Sequence, residues 1–182
     1  YAQFLKNNEE FEKSIKYYTE LLNKLEKNSL SYADTLYRRG GSYERIKNFE
    51  MSDKDLLNAL IISPNDPYIL NYLAYSWLER GIKLQTSLEM LTRAHKNNEN
   101  NAYITDSLGW AYYMLGDYIL AEKYINQALQ IRPNDPVIMD HYGDILWMLN
   151  KKLQANYYWK NILKNNDFED LNKNEIKIKV LK

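Results

Sequence analysis

The 182-residue sequence contains no cysteine, which excludes disulfides, thiol nucleophiles, thiolate zinc sites and iron–sulfur clusters but leaves the compartment open. It also lacks any apolar run near the roughly 20 residues of a membrane span. The first residues, Tyr-Ala-Gln-Phe-Leu-Lys-Asn-Asn, have neither the basic start nor the apolar centre of a signal peptide. Net charge is absent too: 24 basic side chains balance 24 acidic ones, so the overall field favours neither nucleic acid nor an anionic membrane. Only two histidines are present, His95 and His141, and no Gly-rich phosphate loop, G-x-S-x-G elbow or H-E-x-x-H motif occurs. His141 has Asp140 and Asp144 nearby, but with no second His or Cys the expected role is a packed or solvated imidazole, not a metal ligand. Neither an enzyme nor a cofactor is expected. The chain begins without Met and inside a structural unit, so we expect it to be part of a longer protein.

Proline and glycine are also scarce, at four and six residues, whereas tyrosine numbers 17. All four prolines lie in two copies of one tetrapeptide, Pro64-Asn65-Asp66-Pro67 and Pro133-Asn134-Asp135-Pro136, spaced 69 residues apart. Two repeats of about 34 residues fit that interval. With Ala33, Pro67, Ala102 and Pro136 as first positions, Gly40, Ala74, Gly109 and Gly143 share the eighth and Tyr43, Trp77, Tyr112 and Leu146 the eleventh. One inserted residue in the Gly81–Leu84 turn then aligns Ser52, Ser87, Ala121 and Ala155 at the twentieth and Ala59, Ala94, Ala128 and Ile162 at the twenty-seventh.

Local chemistry divides the chain at the same points. Asp66-Pro67 and Asp135-Pro136 each join an N-cap carboxylate to a Pro at the first helical position. Gly116-Asp117 supplies a left-handed helix stop followed by a new N-cap, with Gly81 and Asn150 expected to act likewise. Leu108, Ala111, Tyr112 and Leu115 recur at helical spacing, and no stretch alternates with period two, so no sheet is expected.

The Leu108-Gly109, Tyr112, Gly116-Asp117-Tyr118, Ala121, Ala128 and Pro133 pattern resembles the tetratricopeptide repeat. The resemblance implies an all-α fold, a right-handed superhelical solenoid of antiparallel helix pairs. It divides the chain into a truncated first repeat (1–32), repeats at 33–66, 67–101, 102–135 and 136–166, and a C-terminal capping helix (167–182). In the first repeat, Ala2 stands at the eighth position, and Asn28–Tyr32 lengthen the exit loop. Arg39, in place of Leu at the seventh position, is expected to weaken one contact. The terminal segment keeps Phe168, Leu171, Ile176, Val180 and Leu181 among charges, which suits a helix covering the apolar end of the stack. A tail that docks on a partner is the other reading.

The same resemblance implies that the first helix of each pair, helix A, lines a concave groove that binds another protein or peptide. Carried over position by position, the groove residues are Arg38; Tyr68, Asn71, Tyr72 and Tyr75; Tyr103, Asp106, Ser107, Trp110 and Tyr113; and Asp140, His141, Asp144 and Trp147. Tyrosine and tryptophan give stiff, amphipathic contact area that suits a peptide cradle. Single aromatics among them, Tyr72 and Tyr113 above all, read equally well as packing against a neighbouring helix. Asn71, Asp106 and Asp140 form a polar ladder, so the groove is expected to be acidic at its C-terminal end and basic near Arg38, Arg39 and Arg45. Tyr37 with Gly41, Asn71 with Tyr75, and Asp106 with Trp110 do not match a carboxylate clamp for chaperone termini. The alternative function is a structural or self-association module of a larger protein with no groove ligand. The runs at Leu70–Trp77, Asp106–Tyr113 and Asp140–Trp147 resemble the C-terminal repeats of multi-repeat adaptor proteins of Gram-negative bacteria, some of them envelope lipoproteins. That points to the periplasm or envelope over the cytoplasm.

Overall fold

In the computed structural model, residues 10–164 and 173–181 are described; Ala2, Phe168 and Leu171 lie outside them. Among the described residues there are ten helices and no strand. They are α1 (Phe11–Leu22), α2 (Leu30–Arg45), α3 (Phe49–Ile62), α4 (Pro67–Glu79), α5 (Leu84–Asn97), α6 (Ala102–Met114), α7 (Tyr118–Ile131), α8 (Pro136–Met148), α9 (Lys152–Lys164) and α10 (Lys173–Val180). The chain forms two compact units, Tyr1–Ser76 and Trp77–Lys182, with α4 running across the boundary.

The helix starts follow from side-chain caps. Asp66 Oδ1 accepts the Tyr68 and Ile69 N–H groups at 2.9 and 3.1 Å, and Asp135 Oδ1 those of Val137 and Ile138 at 3.1 and 3.3 Å. Asn101, without a following proline, caps α6 in the same way at 3.0 and 3.2 Å. The stops are equally regular. Lys47, Gly81, Gly116 and Asn150, each at the fifteenth repeat position, all have positive φ, between 61° and 85°. After each of them, the next N–H reaches back to a helix A carbonyl, as in Asp117 N to Tyr112 O at 2.9 Å, which closes the last turn.

One expectation is corrected. Leu30–Tyr32 belong to helix α2 and do not lengthen a loop, because the Ser29 hydroxyl caps the helix by accepting the Tyr32 N–H at 3.1 Å.

In unit 1, α2 packs on α1 and α3. Leu36, Leu56 and Ala59 fill the interior, and a Cβ on Gly40 would lie 3.0 Å from Leu56 Cγ. At the seventh position Arg39, expected to weaken a contact, makes an ionic one. Its guanidinium makes a bidentate pair with buried Asp55 at 2.7 and 2.8 Å and donates to Thr19 at 3.0 Å. Asp55 sits at the twenty-third position, where the 136–166 repeat has Tyr158 packed edge-on against Tyr142 from the seventh. The pair is thus an ionic version of a contact that is aromatic elsewhere.

In unit 2, α6 packs on α7 and α8 on α9, while α5–α6, α7–α8 and α9–α10 join successive pairs. A Cβ on Gly109 would sit 2.7 Å from Ile125 Cγ1, and one on Gly143 only 2.2 Å from the Trp159 indole nitrogen. Ile125 and Trp159 share the twenty-fourth position with Leu56, so glycine at the eighth is what lets helices A and B approach.

Candidate functional site

The helix A faces carry every residue assigned to the groove, and each unit builds its face differently. In unit 1 the rings of Tyr37 on α2 and Tyr72 on α4 meet edge-on, with centroids 5.6 Å apart. The Tyr72 hydroxyl donates to Glu44 at 3.2 Å; burial and then this carboxylate push the phenol well above its ordinary value. Beside them lies a cleft of about 500 Å³ lined by Asp34, Tyr37, Arg38, Asp66, Tyr68 and Ile69 among others. Tyr68 is 52% exposed at its mouth, and Arg38 pairs with Asp34 at 2.8 Å on a half-exposed surface. Asn71 and Tyr75 are half-buried, and Asn71 Oδ1 is a buried acceptor with no donor among the described residues.

In unit 2 the floor pairs with itself. Trp110 stacks between Tyr113 (4.5 Å) and His141 (4.2 Å). His141 Nδ1–H donates to both Asp106 oxygens at 2.9 and 3.0 Å, and both residues are buried. Burial alone would lower the imidazole, but Asp106, helped by Asp140 and Asp144, carries it above its ordinary value. Ser107 is buried and donates to Tyr103 O at 2.9 Å. The Lys179 ammonium bridges Asp140 (2.8 Å) and Asp144 (2.7 Å). Trp147 packs 5.7 Å from Trp159 with Lys152 over its ring. Tyr103 is 47% exposed and accepts from Arg132 at 2.6 Å.

The groove aromatics therefore divide: Tyr68 and Tyr103 are exposed, whereas Tyr72 and Trp110 pack on the following or preceding helix A. The expected run from basic to acidic is neutralised locally. Arg39 turns inward to Asp55, Arg45 lies over the Phe11 ring at 5.6 Å, and Asp140 and Asp144 hold Lys179. A pairing that sequence reasoning missed recurs within each unit: the fifth position of one helix A meets the sixth of the next, as Tyr37–Tyr72 in unit 1 and Asp106–His141 and Asp140–Lys179 in unit 2. Its trace in the sequence is an aromatic pair or an acid–base pair 35 residues apart, as at Tyr37/Tyr72 and Asp106/His141. Among the described residues no three His, Cys, Asp or Glu side chains group to hold a metal, and no helix is long and apolar enough to cross a membrane.

The tetratricopeptide repeat family model matches residues 2–167. The TPR repeat-containing protein PA4667 of Pseudomonas aeruginosa is 31% identical over 150 residues, which cover 79% of this chain but only 23% of that protein. Among solved structures, MamA from Desulfovibrio magneticus RS-1 superimposes with a TM-score of 0.75 at 16% identity, covering 93% of each chain. PilF of Pseudomonas aeruginosa gives 0.76 at 14% identity, over 90% of this chain and 72% of PilF. These structural likenesses establish the shared fold alone. The chain belongs to the tetratricopeptide repeat family, whose fold is that of a protein–protein interaction scaffold and in general not of an enzyme.

Proposed function

We propose that this tetratricopeptide repeat protein is an adaptor that holds a peptide segment or helix of a partner on its helix A faces, with the unit 1 cleft as the principal contact. The observation that carries this is the cleft of about 500 Å³ walled by Tyr37 and Tyr68, with the Arg38–Asp34 pair at its rim. A surface ion pair contributes little to folding, typically under about 1 kcal/mol. Its members can therefore exchange partners at small cost, while the tyrosines offer area with a polar tip. In unit 2, Tyr103 presents the matching exposed ring. The test is affinity capture with the intact chain and a Tyr68→Ala variant side by side. Loss of the captured partner with unchanged helicity supports the cleft; equal capture refutes it.

Self-association is favoured by one separate observation. On α9, Leu153 is 89% exposed and Tyr157 62%, beside a cleft of about 380 Å³ that includes Tyr142 and Tyr158. Sedimentation of a Leu153→Ser/Tyr157→Ser variant decides this: a concentration-dependent dimer that the substitutions dissolve would establish it, and a monomer at all concentrations would exclude it.

A further inference from the structure

Helix α10 repeats the register of a helix A. With Asn174 as the first position, Ile176 falls at the third, Lys179 at the sixth and Val180 at the seventh. The third position is buried in α2, α4, α6 and α8, as Thr35, Ile69, Ile104 and Ile138, and Ile176 is likewise 1% exposed. It joins the cluster of Trp159 and Ile162, and Val180 packs against that cluster. Lys179 completes the fifth-to-sixth rule by meeting Asp140, and it reaches Asp144 at the ninth position as well. The end face of α8 and α9 is therefore shaped for a helix that reads apolar-x-x-Lys-apolar.

The hold on α10 is slight. It is eight residues long, against 13 to 16 in the other helices A. Among its residues only Ile176 is fully buried; Ile178 remains 58% exposed, and Leu181, just past its end, 85%. A longer helix with the same three residues would bury more apolar surface on the same face while keeping the ammonium between the two carboxylates.

Given the scaffold function proposed for the helix A faces, we infer that the α8–α9 end face is an exchangeable site for a lysine-bearing amphipathic helix of a partner protein, and that α10 is its resident occupant in cis. The site selects by charge and spacing: an aliphatic residue, then a lysine three positions on and an aliphatic at the fourth. A glutamate at the lysine position would face two carboxylates and be rejected. Partner binding here is then linked to release of the chain's own terminal helix.

The experiment uses the full chain and a fluorescein-labelled peptide with the sequence of residues 171–182, stapled across the outward positions 174 and 178 to keep it helical. Binding is read by fluorescence anisotropy. The Ile176→Asp/Lys179→Glu chain, whose own helix is released, should bind the peptide at least about tenfold more tightly than the parent. Adding Asp140→Asn/Asp144→Asn should remove that gain, and a peptide carrying glutamate at the lysine position should not bind. Equal affinity for parent and released chain, or binding that survives the loss of both carboxylates, would overturn the inference. If the double variant loses its helical circular dichroism, Lys179→Met is measured in the same assay: a gain of about threefold supports exchange, whereas no gain, or aggregation of that chain, shows α10 to be a permanent cap. The unit 1 cleft is probed by its own tyrosine variant, so either site can fail without the other.

Discussion

Unit 1 buries its strongest ion pair between helices A and B, as Arg39–Asp55, and leaves a cleft on its helix A face, whereas unit 2 packs rings between its helices and pairs its charges on that face. The repeat positions are the same; the residues placed on them differ. At the helix A–helix B contact, Arg39 and Asp55 do the work that Tyr142 and Tyr158 do in unit 2. At the contact between successive helices A, two tyrosines in unit 1 stand where Asp106 and His141 stand in unit 2. The repeat thus fixes which positions touch, and side-chain chemistry decides whether a face is used up by the fold or left open.

The largest effect that can separate the units is removal of their buried acids. Asp55→Ala strands a guanidinium that cannot shed its proton, and we expect a loss of about 3 kcal/mol in urea unfolding. Asp106→Asn leaves an imidazole that can become neutral, so the expected loss is only about 1 kcal/mol. Equal losses would break the comparison.

Next come the small residues. Gly143→Ala drives a methyl to within 2.2 Å of Trp159, and Gly40→Ala to 3.0 Å of Leu56. The first should cost about 3 kcal/mol and the second about 1 kcal/mol. A Gly143→Ala melting curve that matches the parent would show the helix contact to be looser than described.

These positions also show what was legible in the sequence. The Pro-Asn-Asp-Pro copies, Gly109 and the Gly116-Asp117 step disclosed the register and the helix ends, because caps, turns and close approaches each demand one or two residue types. The pairing of side chains was less visible. Arg39 looked like a defect because its partner Asp55 is 16 residues away across a turn, and either residue alone fits a solvated surface. Asp106 and His141 are legible by position as residues of helix A, yet nothing local indicates that they neutralise each other 35 residues apart. Lys179 was hidden because Asn174 follows Pro136 at 38 residues and not 34, which obscures the helix A register of α10.

A smaller contrast concerns pH. His141 is raised above 6.5 in the folded chain, so the stability it adds is fully present below about pH 6.5 and is lost as pH climbs through its raised folded value. The groups facing it are Asp106, Asp140, Asp144 and, through the last two, Lys179. A His141→Gln chain should show a flatter stability profile over that window, while Asp55→Ala should leave the slope unchanged. The smallest effect is in the turns. Lys47 takes the left-handed conformation that Gly81 and Gly116 supply elsewhere, so Lys47→Gly should stabilise unit 1 by about 1 kcal/mol, seen as a raised urea midpoint.

The division between a face left open and a face used up is tested most directly by partner capture and thermal melting on the same two variants. Tyr68→Ala should lose the partner and melt with the parent, whereas Asp106→Asn/His141→Gln should melt lower and keep the partner. The reverse pattern, with capture lost only when Asp106 and His141 are changed, would contradict the account.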